Sequence, residues 1–247
     1  YPADAVSLRS ISSDNFVVVD TTNGSDVIGE TSFTSGPSTL HEKAIYLVEG
    51  VLYQVERLDF DGRKAYVRRI DCDYYTDAIT YSKVTVLETF ASNSDVVSGF
   101  SRTGTASHGD VHVSSRVVGF KKIKFYTNEN VGSGELDLPE QQMHTTAYWL
   151  TVPATVMAAL PFAPDDRRDG VVGLSFAMRQ IAQLLLMCDR QDIGISIGSG
   201  EQGDETDLTR IGIPSKLSEE PRIFIYDNYP GGIGFSEPLF QMHDDLL

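Results

Sequence analysis

RIFIYDNYPGGIGFSEPLF, residues 222–240, poses the choice between two folds. A nearly all-apolar strand, RIFIYDNY, runs into Pro230-Gly231-Gly232, and a helical segment follows. Strand, glycines and helix in that order can cradle a phosphate on backbone N–H groups. Gly231, Gly232 and Gly234 match no nucleotide fingerprint, however, and Lys and Ser/Thr are missing from the needed offsets. No G-x-x-x-x-G-K-[ST] loop occurs elsewhere in the chain. The stretch therefore reads as a tight strand-to-helix turn, with an anion at the helix N-terminus as the minor alternative.

Upstream, GVVGLSFAMRQIAQLLLMCD spaces Leu174, Ala177, Met178, Ile181, Leu184, Leu185 and Cys188 as a helix does. DIGISIGSG adds a short strand, and residues 199–221 read as a polar, acidic excursion. IGFSEPLFQMHDDLL reads as one amphipathic helix, with Pro238 tolerable in its first turn. Residues 154–247 thus read helix, strand, strand, helix.

Residues 1–153 read differently. DNFVVVD, KAIYLVEG, VLYQVERLDF, KAYVRRIDCDYYT, KVTVLETFA, VHVSSRVVGFKKIKFYT and MHTTAYWLTVP are strand-like. Asp61-Gly62 signals a hairpin. In VLYQVERLDF, alternation puts Leu52, Gln54, Glu56, Leu58 and Phe60 on one face and Val51, Tyr53, Val55, Arg57 and Asp59 on the other, an imperfect pattern that suits a strand partly covered on both faces. SNSDVVSGFSRTGTASHGD and NENVGSGELDLPEQQ read as loops. The expected fold is α+β: a β-rich curved sheet or small barrel at residues 1–153, then the helix-strand-strand-helix part.

The 247 residues are 41% apolar and 22% charged, enough to bury a core. The net charge of -15 argues against an independent nucleic-acid binder but allows a local basic strip. Two cysteines, without a C-x-x-C pair, point to a reducing cytoplasm. No run approaches the roughly 18 apolar residues of a membrane span. YPADAVSLRS has no initiator methionine and no signal core, so a fragment is expected.

Few residues promise chemistry. HGDVH sets His108, Asp110 and His112 on alternate residues, but no further ligand is apparent nearby. His243-Asp244 is a lone His-Asp pair, and neither His41-Glu42 nor His144 has a nucleophile arranged with it. No catalytic residue is assigned. Arg63, Lys64, Arg68 and Arg69 lie near Tyr66, Tyr74 and Tyr75. Lys121, Lys122 and Lys124 lie with Phe120, Phe125 and Tyr126. Cations interleaved with rings suit a single-stranded nucleic acid, which needs phosphate neutralisation and stacking. An ordinary solvated strand face gives the same pattern.

Four segments in order carry a family resemblance: HEKAIYLVEGVLYQVERLDFDGRKAYVRRIDCDYYTDA, RVVGFKKIKFYTNENVGSGELDLPEQQMHTTAYWLTVP, LSFAMRQIAQLLLMCDRQDIG and IFIYDNYPGGIGFSEPLFQMHDDLL. Together they resemble the C-terminal region of superfamily 2 DNA helicases of the mitomycin repair factor A (MrfA) type, over roughly residues 28–247. The resemblance implies a non-catalytic accessory region, a β-rich helicase-associated part followed by the α/β part of the MrfA zinc-binding domain. Its parent would be an ATP-dependent 3′-to-5′ DNA repair helicase. ATP with Mg and a zinc cluster belong to that intact parent, and the chain itself is expected to hold no cofactor and no ordered zinc. Cys188 sits at a family position that is often cysteine, which makes it a lone candidate ligand. Implied partners are the ATPase lobes and single-stranded or forked DNA. The runner-up is a stand-alone protein-interaction module. An enzyme built around His108, Asp110, His112 or His144 is the third reading.

Overall fold

The computed structural model describes residues 14–98, 101–201 and 216–246. The elements are β1 (Asn15–Asp20), β2 (Asp26–Ser32), α1 (Gly36–Thr39), β3 (Ile45–Val48), β4 (Val51–Asp59), β5 (Lys64–Arg69), β6 (Tyr74–Ser98), β7 (Ser101–Lys124), β8 (Asn130–Glu135) and β9 (Gln141–Thr151). Then come α2 (Ala154–Ala159), α3 (Pro164–Leu186), β10 (Ile193–Gly198), β11 (Arg222–Asp227), α4 (Ser236–Gln241) and α5 (His243–Leu246). The fold is α+β and strand-rich. Its strands form two sheets, ordered β2-β1-β5-β4-β3 and β10-β11-β9-β7-β6, with β8 paired to β7.

Two compact units share the chain. One holds residues 1–81 and 116–140, the other residues 82–115 and 141–247. The change of texture at Pro153 marks where helices begin. The packing units divide elsewhere, because β9 pairs with both β7 and β11.

In the first unit, β4 and β5 form the hairpin that Asp61-Gly62 signals. Its turn is fixed by the Gly62 N–H donating to Asp59 Oδ1 at 2.8 Å. Strict alternation fails along β4. The register shifts between Val55 and Arg57, so Glu56 is an extra residue in a bulge. Val55 and Tyr53 therefore share the core with Leu58 and Phe60. Phe16, Val18, Leu40, Ala65 and Val67 complete that core, all fully buried.

In the second unit, alternate residues of each strand serve opposite faces of one curled sheet. Val84, Val111, Val113, Ala147, Trp149, Phe224 and Tyr226 pack on one face. Ala106, Tyr148, Leu150, Ile193, Ile223 and Ile225 pack on the other with α3, α4 and α5. The curl brings the two edges of this sheet together. The Val86 N–H donates to Gly200 O at 2.9 Å, and Ser196 Oγ donates to Ser82 O at 2.8 Å.

Two loop expectations fail, one in each unit. Residues 105–110, read as loop, pair residue for residue with β9 and place Ala106 in a core, in line with the expected strand from Val111 that carries Val111 and Val113. Polar composition had masked a strand whose alternate positions are small or apolar. Asn130–Glu135 likewise pairs with β7. The C-terminal helix breaks at Met242 into α4 and α5, with Pro238 in the first turn of α4 as expected. The acidic excursion falls largely on residues 202–215, outside the described residues.

Gly109 permits the close approach of β6 to β7. A methyl at this position would overlap the Glu88 carbonyl oxygen, a backbone atom that cannot swing aside. Gly109→Ala is expected to destabilise the second unit by about 1–3 kcal/mol, the usual cost of overpacking. Urea unfolding followed by the fluorescence of Trp149, the single tryptophan of the sequence, measures it. An unchanged midpoint would contradict the packing described.

Candidate nucleic-acid interface

The glycine turn settles the opening question. β11 ends in Asp227, whose side chain is 1% exposed. Its Oδ2 accepts the N–H groups of Ile233, Gly234 and Phe235 at 2.7, 2.8 and 3.2 Å. Thr146 Oγ1 donates to the same oxygen at 3.2 Å. Gly231, Gly232 and Gly234 hold the left-handed φ values of 83°, 74° and 90° that this path requires. Gly231 N–H donates to His144 O, and Thr145 Oγ1 donates to the carbonyls of Asp227 and Tyr229. The donors that would cradle a phosphate are thus taken by a carboxylate of the same chain. Sequence reasoning reached the turn but missed Asp227; the signal was an acid at the end of an apolar strand, just before glycines.

The basic residues fall into two sets. Arg63 faces inward, with its guanidinium 4.3 Å from the Phe33 ring centre and also near Phe60 and Phe16. It donates to Asp14 Oδ1 at 2.9 Å and to the Phe60 carbonyl. Arg68 pairs with Glu56 at 3.0 Å, Lys124 with Asp73 at 3.5 Å, and Lys122 lies 4.9 Å from the Tyr74 ring centre. Lys64, Arg69 and Lys121 have no side-chain partner among the described residues.

The rings divide in the same way. Phe120 is 2% exposed and stacks on His41 at 4.8 Å, which removes it from any base. Tyr126, in the turn after β7, is fully exposed. Phe125 packs between it and Tyr75, which is partly exposed. The β7–β8 end of the first unit therefore carries Lys122 beside Tyr74, Lys124 beside Asp73 and the exposed Tyr126, with Lys121 on the other face of β7.

The histidines do not converge. His41 is buried and held neutral: desolvation pushes its pKa down, against the pull of the Glu42 carbonyl on Nδ1. His108 lies 4.8 Å from the Phe240 ring, while His112 and His144 face each other at 5.0 Å across β7 and β9. His243 spends both nitrogens on structure, Nδ1 on Phe240 O at 2.7 Å and Nε2 on Asn93 at 3.0 Å. Among the described residues, no three His, Cys, Asp or Glu side chains group to hold a metal ion.

Residues 174–247 match the family model described as the MrfA Zn-binding domain. The chain is 39% identical over its whole length to the ATP-dependent helicase YprA of Bacillus subtilis (strain 168), of which it spans 30%. It is 37% identical to the DUF1998 helicase MrfA in the crystal structure bound to DNA, covering all of this chain and 30% of that one, with a TM-score of 0.58. A second MrfA crystal structure gives 33% identity over all of this chain and 31% of that one, with a TM-score of 0.63. The chain is similar along its whole length to a C-terminal part of MrfA-like helicases.

The name of the MrfA Zn-binding domain implies zinc, and the described donors do not fit one. Cys72 donates its thiol to the Tyr74 carbonyl. Burial, then Asp192, pushes the Cys188 thiol up, away from the thiolate a zinc ion requires. Cys188 packs instead against the core formed by α3 and the sheet.

Two outcomes follow from these geometries. Asp227→Ala leaves three N–H donors beneath the turn without their acceptor and is expected to cost about 3 kcal/mol; Asp227→Asn, which keeps an oxygen but not the charge, should cost about half that. Urea unfolding read by Trp149 checks both, and wild-type stability in the alanine variant would refute the role. Because its raised pKa leaves less thiolate at pH 8, Cys188 should react with a disulfide reagent more slowly than an unstructured cysteine peptide. Equal rates would show that the thiol is neither buried nor shifted.

Proposed function

We propose that this chain is a non-catalytic accessory region of an ATP-dependent DNA repair helicase that translocates 3′ to 5′, bracing the motor lobes and contacting DNA. The observation that carries this reading is the full-length likeness to a helicase crystallised on DNA, at 37% identity, in a chain without a phosphate-loop signature. The chain spans only 30% of that relative, so the ATP site and its Mg belong to the remainder of the parent. The filled glycine turn agrees, since it has no free donors for a nucleotide. Among the described residues, no helix is long and apolar enough to cross a membrane.

For the DNA contact, the β7–β8 end fits best. Lys121 has no side-chain partner among the described residues, Lys122 is held by an aromatic ring rather than an acid, and Tyr126 is fully exposed to a base. Lys64 and Arg69 are a second set, on β5, with Arg68 damped by its ion pair. Arg63 serves the aromatic core instead. A net charge of -15 fits a region that adds one local contact to a path laid mainly by other lobes.

Binding of the full-length protein to a fluorescent single-stranded oligonucleotide across a salt series tests this. Replacing Lys121, Lys122 and Lys124 by Glu is expected to weaken binding about tenfold and to flatten the log-log salt slope by about two, as loss of three phosphate contacts should. Unchanged affinity and slope would remove these lysines from the DNA path.

A further inference from the structure

Two of the five histidines have no structural duty. His41 and His243 spend ring nitrogens on hydrogen bonds, and His108 packs on Phe90 and Phe240. His112 and His144 have only each other. They stand directly opposite on β7 and β9, with ring centres 5.0 Å apart and ring planes 57° to one another. Neither ring has a hydrogen bond or an ion pair among the described residues. His144 is exposed and His112 partly so, hence both rings can turn about Cβ–Cγ, a soft torsion for imidazole.

Two imidazoles at that spacing make a chelate. A late transition-metal ion lies about 2.0–2.1 Å from a ligating imidazole nitrogen, and so about 3.2 Å from the ring centre. At ligand angles of about 90–110°, two rings on one ion have centres about 4.5–5.2 Å apart. The observed 5.0 Å falls in that range.

The surroundings select the kind of ion. Asp110 lies on the same face of β7, two residues before His112, opposite Thr146. Its carboxylate is partly exposed and has no hydrogen bond or ion pair among the described residues. It stands about 7 Å along the strand from His112, too far to ligate with both rings but placed to accept from a water on the ion. Two nitrogens and water do not suit Ca²⁺ or Mg²⁺, which take oxygen ligands. Nor do they make the closed four-ligand site of a structural zinc ion. They suit Ni²⁺ or Cu²⁺, whose tetragonal shells are completed by water.

We propose that His112 and His144 form a two-histidine site for a divalent late transition-metal ion, with water in the remaining positions and Asp110 in reach of that water. The ion clips β7 to β9 beside the glycine turn, where the His144 carbonyl accepts the Gly231 N–H at 2.7 Å. The second unit then gains stability with the concentration of free ion. The site is independent of the helicase reading.

Protection of the histidines from diethyl pyrocarbonate by Ni²⁺, in the tag-free full-length protein, tests it. The reagent acylates free imidazole nitrogens, and tandem mass spectrometry of the peptides reads each histidine separately. Submillimolar NiCl₂ is expected to slow modification of His112 and His144 about tenfold or more and to leave the rate at His108 as it is. In His144→Gln, His112 should lose its protection, because one imidazole without its partner forfeits a chelate gain of about a hundredfold. Unslowed modification of either histidine in the wild type, equal protection of His108, or full protection of His112 in His144→Gln would each overturn the site. The wild-type rates decide the matter even if the variant fails to fold.

Discussion

One carboxylate organises the C-terminal part of this chain. Asp227 ends the central strand β11, is buried, and accepts three successive backbone N–H groups together with a threonine hydroxyl. A buried charge is tolerable only when paired or well hydrogen-bonded. Here the partners are the backbone N–H groups of the turn that leads into α4, which themselves need an acceptor. Each side meets the other's requirement. The result fixes where the chain leaves the sheet and so where α4 and α5 pack against α3 and β9.

That arrangement also leaves a phosphate-loop order of elements with its turn donors already taken. A nest of backbone donors at a strand-to-helix turn is an anion site by construction. In this chain the anion is a side chain of the preceding strand, and Gly232 could carry no Cβ without meeting Thr146 Oγ1 at 2.6 Å. A feature that suggests catalysis in the sequence is a structural lock in the fold. The DNA contact proposed for this chain lies elsewhere, at the basic-aromatic end of β7–β8.

Much of this was legible in the sequence, and the failures have physical reasons. The 3.6-residue spacing of Leu174 to Cys188 gave α3, and Asp61-Gly62 gave the β4–β5 hairpin. Alternation is imperfect along β4 because a bulge at Glu56 inserts one residue, and nothing local in the sequence marks a bulge. β7 was expected from Val111 onward, but its first half was hidden because serine, glycine and histidine make a strand look like a loop until β9 lies beside it. The basic strips could be located, but not divided. Only three-dimensional neighbours show Arg63 stacked among three phenylalanines and Lys121 without a side-chain partner among the described residues. Asp227 was missed because its partners are the backbone groups of its own turn, which side-chain motifs do not encode.

Amide hydrogen exchange at the turn tests the central claim most directly. If Asp227 holds the turn, the amides of Ile233, Gly234 and Phe235 should exchange slowly in the wild-type protein, as core strand amides do, and lose that protection in Asp227→Asn. Rapid exchange of these three amides in the wild type, while those of β11 remain protected, would contradict the account.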